Sequence, residues 1–259
     1  DAAARTPTPG PTGDDNTFGG LYVSYRAHAE HEYDVYLMNR RTHDGTTTSE
    51  TGPTGDADDW WLGLRAKGQE GAFDWTAEGV YLFGDRAGDG LGAFGTAATV
   101  GYTFKDAASL RLGLEWTFAT GDENGTDGDV DRFEAPFPFG HNYQGWADVF
   151  GWKNGHDFAF HASVKPDADV VLGGAFHYFL LDEEQDSWFN AAMNPLRRDA
   201  TGASGDNVGS EIDLYVKWTV RPQLLLFAGY SRFFAGSFVE NTGAAPDQDW
   251  IFLMLTADF

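Results

Sequence analysis

Apolar and polar residues alternate one by one along most of this chain. In residues 110–119, Leu110, Leu112, Leu114, Trp116 and Phe118 share one face, and Arg111, Gly113, Glu115 and Thr117 share the other. Residues 211–219 repeat the pattern, with Ile212, Leu214, Val216 and Trp218 opposed to Glu211, Asp213, Tyr215, Lys217 and Thr219. Residues 156–164 set Phe158, Phe160, Ala162 and Val164 against Asp157, Ala159, His161 and Ser163. A strand separates such sets cleanly, whereas helical spacing scatters them around a cylinder. The pattern predicts strands near 18–27, 32–41, 59–68, 72–84, 92–105, 108–119, 156–164, 168–181, 209–220, 223–234 and 249–259. Most are about 9 to 13 residues long, the reach of a tilted strand through a bilayer, where strands in general average about 5 or 6.

The connections alternate as well. Short links fall at 105–108, 165–169 and 221–223, and long polar links at 42–58, 120–155, 182–208 and 235–248. Short turns at one end and long loops at the other characterise outer-membrane barrels, whose long loops lie outside the cell. The chain ends DWIFLMLTADF, an alternating strand closing on Phe259, the kind of terminal signal the bacterial barrel-assembly machinery reads. The expected fold class is all-β, a transmembrane antiparallel β-barrel over residues 17–259 in the bacterial outer membrane, with about 11 or 12 strands visible. Residues 1–16, rich in Pro and Gly, read as a flexible segment. An odd strand count conflicts with the even numbers of single-chain bacterial barrels. Either a strand near 145–151 completes the count, or further strands belong to a larger barrel of about 16 to 18. The second reading is preferred, with those strands supplied by another chain or an additional region.

Composition alone favours a different answer. Aromatic residues make up 15% of the 259, with 33 Gly, which suits a twisted β-protein of either kind, and a soluble β-sandwich or lectin-like domain fits as well. Strand length and loop alternation move the reading to the membrane. The absence of Cys excludes disulfides, thiol nucleophiles and Cys-based zinc sites. Residues 1–16 contain no apolar signal-peptide core. A net charge of −23 argues against nucleic acid as a partner. The expected partners are outer-membrane lipid and lipopolysaccharide, barrel-completing strands, and an envelope complex.

The run FGHNYQGWADVFGWKNGHDFAFHASVKP at 139–166 resembles the alginate export family of outer-membrane porins. So do HYFLLDEEQDSWFNAAMNPLRRD, GSEIDLYVKW, AGYSRFFAGSFVENT and the closing Phe, and upstream FGGLYVSYRAHAEHEYDVYLMNRR with the GLRAKG and FDWTAEGVYLFG strands. The resemblance covers nearly everything after Thr17. It implies a passive channel for hydrophilic solutes, anionic polysaccharide among them, and one large external loop over 120–155 that folds inward to constrict the pore. Tyr143, Trp146, Phe150 and Trp152 would pack that loop against the barrel wall. A loop-plugged scaffold barrel anchoring an envelope complex is the alternative.

Placing the polar faces inward puts Arg26, Arg40, Arg65, Lys67, Arg111, Lys217 and Arg232 in the lumen, with Asp74, Glu78, Glu115, Asp157, Glu211 and Asp213 as acids. Bases and acids nearly balance there, so the negative excess lies in loops and termini. Such charges either pair across strands and fix the barrel, or form a basic ladder for an anionic solute, with Arg65, Lys67, Arg111 and Arg232 its best members. In the acidic loop at 121–134, Asp122, Asn124, Asp127, Asp129 and Asp131 form a weak calcium candidate, outside the EF-hand frame; a solvated acidic loop is the expectation. His161 and His177 face inward without an evident third metal ligand. Ser163 and His161 share a face, but no nucleophile elbow accompanies them. No catalytic residues and no cofactor are expected.

Overall fold

The computed structural model describes residues 16–28, 30–105, 108–138, 140 and 143–258; the segment through residue 15 and the terminal Phe259 lie outside them. The elements are β1 (Thr17–His28), β2 (His31–Thr48), β3 (Thr54–Glu70), β4 (Phe73–Arg86), β5 (Asp89–Thr103), β6 (Arg111–Ala119), β7 (Asp129–Val130), β8 (Gly155–Asp167), β9 (Val170–Leu180), β10 (Ser187–Phe189), β11 (Pro195–Arg198), β12 (Asn207–Arg221), β13 (Leu224–Ala235), α1 (Ser237–Asn241) and β14 (Gln248–Ala257). All the strands expected from alternation are present. They form one sheet in the order β1-β2-β3-β4-β5-β6-β8-β9-β12-β13-β14, with every neighbour on this path antiparallel. Among the described residues β1 and β14 each pair on one side only.

Antiparallel pairing to the next strand in sequence is what tight connections produce. Residues 87–88 link β4 to β5 through Ala87 at φ 57° and Gly88 at φ 94°. Two consecutive positive φ values match the twist of a two-residue hairpin, and Arg86 pairs directly with Asp89 across it. The 42–58 link is shorter than expected. β2 and β3 continue as a paired ribbon to Thr48↔Thr54, leaving only 49–53 as loop. Polar side chains do not oppose a strand whose backbone groups are already paired. No strand occupies 145–151; apart from the two residues of β7, the described residues of the 120–154 connection are irregular.

Register fixes the two faces. One row of directly paired residues runs Glu32, Lys67, Thr76, Thr99, Glu115, Ala159, His177, Glu211, Phe233 across eight more strands from β2 to β13. The opposite face carries exposed Leu21, Val35, Leu64, Leu114, Phe160, Leu214, Ile251 and Leu253. Exposed apolar side chains over so many strands form far more than a chance patch, and they suit a lipid-facing surface.

The long connections fold onto the face bearing Glu115 and Glu211, the inner face. Two apolar clusters result. Trp61, Leu82, Leu91 and Ala119 from the sheet enclose Val130 and Phe133 from the first long connection. Phe179, Val208 and Phe233 enclose Val149, Phe150 and Trp188, with Phe238 of α1. Each aromatic ring removed from water there contributes about 2–3 kcal/mol. The core of this molecule is thus the space between the inner face and its own loops.

Candidate functional site

The connection between β7 and β8 is held to the inner face at several points. The indole Nε1 of Trp61 donates to the Glu134 carbonyl at 2.8 Å, and that of Trp152 to the Phe118 carbonyl at 2.8 Å. Trp188 donates to the Val149 carbonyl at 2.8 Å. Phe150 stacks on Phe179 at 4.7 Å, and Trp146 stacks on Phe252 at 4.9 Å. Gln144 Nε2 reaches the Thr117 hydroxyl at 3.1 Å, and the Ala147 amide donates to Glu211 Oε1 at 2.9 Å. Buried Asn154 closes the segment, donating to the Glu183 and Ser187 carbonyls at 3.1 and 3.0 Å. The aromatic packing expected of Trp146, Phe150 and Trp152 is therefore present, and Tyr143 lines a cavity of about 370 Å³ beside Trp61 and Trp152.

A buried ion network secures the same loop. Asp59 accepts from Arg40 Nη2 at 2.7 Å and from Arg86 Nε at 2.9 Å. Glu134 lies 2.8 Å from Lys153 Nζ and 3.4 Å from Arg40. Burial by itself would raise the Glu134 carboxyl, but the adjacent Lys153, Arg86 and Arg40 charges outweigh it and hold it down at about 2. Burial lowers the Lys153 ammonium against the opposing pull of Glu134.

The basic side chains of the sheet are paired too. Arg26 meets Glu32 at 2.5 Å, and Lys67 meets the same carboxylate at 3.1 Å. Arg65 lies 2.9 Å from Asp34. Arg111 grips Asp74 in a two-point contact, Nε at 3.0 Å and Nη2 at 2.5 Å. Glu78 accepts from the Tyr36 hydroxyl at 2.6 Å. Lys217 sits over the rings of Phe227 and Tyr215, 4.7 and 5.5 Å from their centroids. All these residues share the inner face.

Arg232 does not. It pairs with Ile212 and Asp249, so it projects from the outward face, where it meets Asp247 at 2.9 Å. The expectation of a lumenal Arg232 is corrected. β13 is apolar on both faces, with Phe233 inward and Phe234 outward, so only its pairing with β12 sets its phase.

Across the sheet from the paired bases lies a cluster that the sequence does not reveal as one. His177 Nδ1 is 2.8 Å from Asp157 Oδ2, and its Nε2 is 3.5 Å from Asp213 Oδ2. His161 Nε2 lies 3.6 Å from Glu115 and its ring 5.7 Å from that of His177. Glu211 completes the group beneath Gly145 and Ala147. The members stand on β6, β8, β9 and β12, and only register shows that they meet.

The calcium candidates do not converge. Asp122 accepts from the Asn124 amide at 3.1 Å, Asn124 donates to Asp127 at 3.2 Å, and Asp127 accepts from the Asp129 amide at 3.0 Å, which are turn-forming contacts. Burial and then its acidic neighbours raise the Asp131 carboxyl. Burial and then Asp122 raise Glu50 to about 7. Among the described residues no group of three His, Asp or Glu side chains is arranged to hold a metal ion.

An antiparallel sheet with an apolar outer face, a charged inner face and a loop folded onto the latter is the build of a transmembrane β-barrel of the porin type. The family model described as alginate export matches residues 7–250, and the chain belongs to that family. Among solved structures, a NanC porin in a rhombohedral crystal form is 10% identical, with 96% of each chain covered and a TM-score of 0.41. No curated protein sequence matches.

Proposed function

We propose that this protein is a passive outer-membrane channel for hydrophilic solutes, with its bore narrowed by the loop between β7 and β8. The observation that supports it most is the split between faces. Charged and polar side chains line the side where the loop folds, and leucines, valines and aromatics cover the other. Selection would come from size and from side chains that replace solvating water. Further strands between β1 and β14, from another chain or an additional region, would close the ring; among the described residues both strands pair on one side only, which supports this.

Anionic polysaccharide is a solute class consistent with the family, but ion pairing tells against a free basic ladder. Arg65, Lys67 and Arg111 already face carboxylates, so a polyanion would have to displace them. The loop packing also favours a second reading, a barrel plugged by its own connections that anchors an envelope complex. Reconstitution of the natively purified protein into planar bilayers separates the two. Stepwise current is expected for the channel, and silence in every salt would leave the plugged scaffold.

A further inference from the structure

The counter-charges on the inner face are distributed unevenly. The arginines of β1 to β6 are each within ion-pair distance of a carboxylate. Farther along the same face, on β6, β8 and β12, Glu115, Asp157, Glu211 and Asp213 have no Arg or Lys partner among the described residues; only His161 and His177 approach them. Lys217, the nearest base on β12, stands four residues beyond Asp213, about 13 Å along the strand. That exceeds the screening length of physiological salt, about 8 Å.

A second feature points to something bound there. Asp213 is 0% exposed, and neither of its carboxylate oxygens has a hydrogen-bond donor. The Ser231 hydroxyl directly across from it on β13 is also 0% exposed and unpartnered. Glu211 Oε2, Asp157 Oδ1 and Glu115 Oε1 are likewise buried without donors. Oxygens in that state need a nearby positive charge or a proton of their own, because unpaired buried carboxylates are unfavourable, and five such oxygens stand beside only two imidazoles. His161, whose side chain is 32% exposed, marks where the cluster reaches solvent on the inner face.

We propose that this wall is a cation-selectivity site, which draws its missing counter-charge from small monovalent cations and makes the channel prefer cations to anions. The inference rests on the channel reading and specifies its selectivity. A low-dielectric wall of fixed negative charge focuses its field into the adjoining bore, raising local cation concentration.

The test is the reversal potential of the natively purified protein in planar bilayers under a potassium chloride gradient at neutral pH. A potassium-over-chloride preference of several-fold is expected. In Glu211→Gln with Asp213→Asn it should fall at least twofold, while Arg111→Ala leaves the sign unchanged. Should the double variant fold poorly, Glu115→Gln, beside the part-exposed His161, gives the same readout. A chloride-preferring current, or a cation preference unchanged in both variants, would overturn the site and leave the channel standing. A current without preference would show that protons alone neutralise the cluster, which also overturns it. Complete absence of current would remove the channel reading and this inference together.

Discussion

Replacement of Gly145 by valine should increase single-channel conductance, by roughly twofold or more if the loop leaves the constriction. Gly145 adopts φ +80°, a conformation that side chains with a β-carbon rarely take. A Cβ added there would lie 2.6 Å from Glu211 Oε1 and 2.8 Å from Glu211 Cδ. The carboxylate cannot easily yield, because Glu211 is fully buried and already accepts the Ala147 amide. The segment through Trp146 would therefore lift from the wall, separating the indole from Phe252. Gly205→Val is the control. It shares a positive φ, +75°, but nothing lies within 4 Å of its added Cβ. Current recorded from both variants checks this: a rise in Gly145→Val alone supports the close approach, and equal rises would assign the effect to backbone strain.

Substitution of Asp59 by alanine should be the more damaging change for stability, costing about 3–5 kcal/mol. Asp59 is 1% exposed and neutralises both Arg40 and Arg86. Without it two partly buried guanidiniums would have to share Glu134, which Lys153 also needs. The consequence reaches the loop, since Glu134 is its anchor to this network. Thermal or denaturant unfolding in detergent, followed by mobility on a gel, gives the magnitude, and limited proteolysis of 131–154 gives the location. Acid should act on the same anchor in a defined window. Because the folded Glu134 carboxyl is depressed from 4.5 to about 2, its stabilisation is complete above about 4.5 and fades as pH falls towards 2. Loop protection that vanished already near pH 6 would contradict this assignment.

Most of the sheet was legible because its strands obey one rule. In β6, β8 and β12 the lipid-facing set is apolar through the middle of the strand, from Leu112 to Phe118, Phe158 to Val164 and Ile212 to Val220, so a period of two identifies both the strand and its phase. β13 shows where the rule fails: with Phe227 and Phe233 against the loops and Leu226 and Phe234 outward, hydropathy cannot say which face holds Arg232. The extensions of β2 and β3 were hidden for the opposite reason. Beyond the bilayer both faces are wet, and the ladder hydrogen bonds alone sustain the ribbon.

The site was legible only as an inventory. The residues expected to face inward include near-equal numbers of acids and bases, which suggests mutual neutralisation. Register separates them: Arg65, Lys67 and Arg111 meet Asp34, Glu32 and Asp74, while Asp157 and Asp213 converge on His177. Contacts of that kind depend on which residue faces which across several strands, and no spacing within one strand encodes them. Gln144, Gly145 and Ala147 were equally silent, because a loop residue that matters through its backbone amide or its missing Cβ leaves no chemical mark.

In the proposed channel the segment between β7 and β8 sits in the conducting bore and limits it. The chain contains no cysteine, so a single engineered pair reports without background. Trp146→Cys with Phe252→Cys removes the stacked rings that seat the loop on β14, and a short reducible bifunctional thiol reagent spans the space they leave. Bilayer current should remain at a low level while the pair is cross-linked and rise when reductant cleaves the link. A current that is large from the start and indifferent to reductant, with the cross-link shown to form, would contradict this reading.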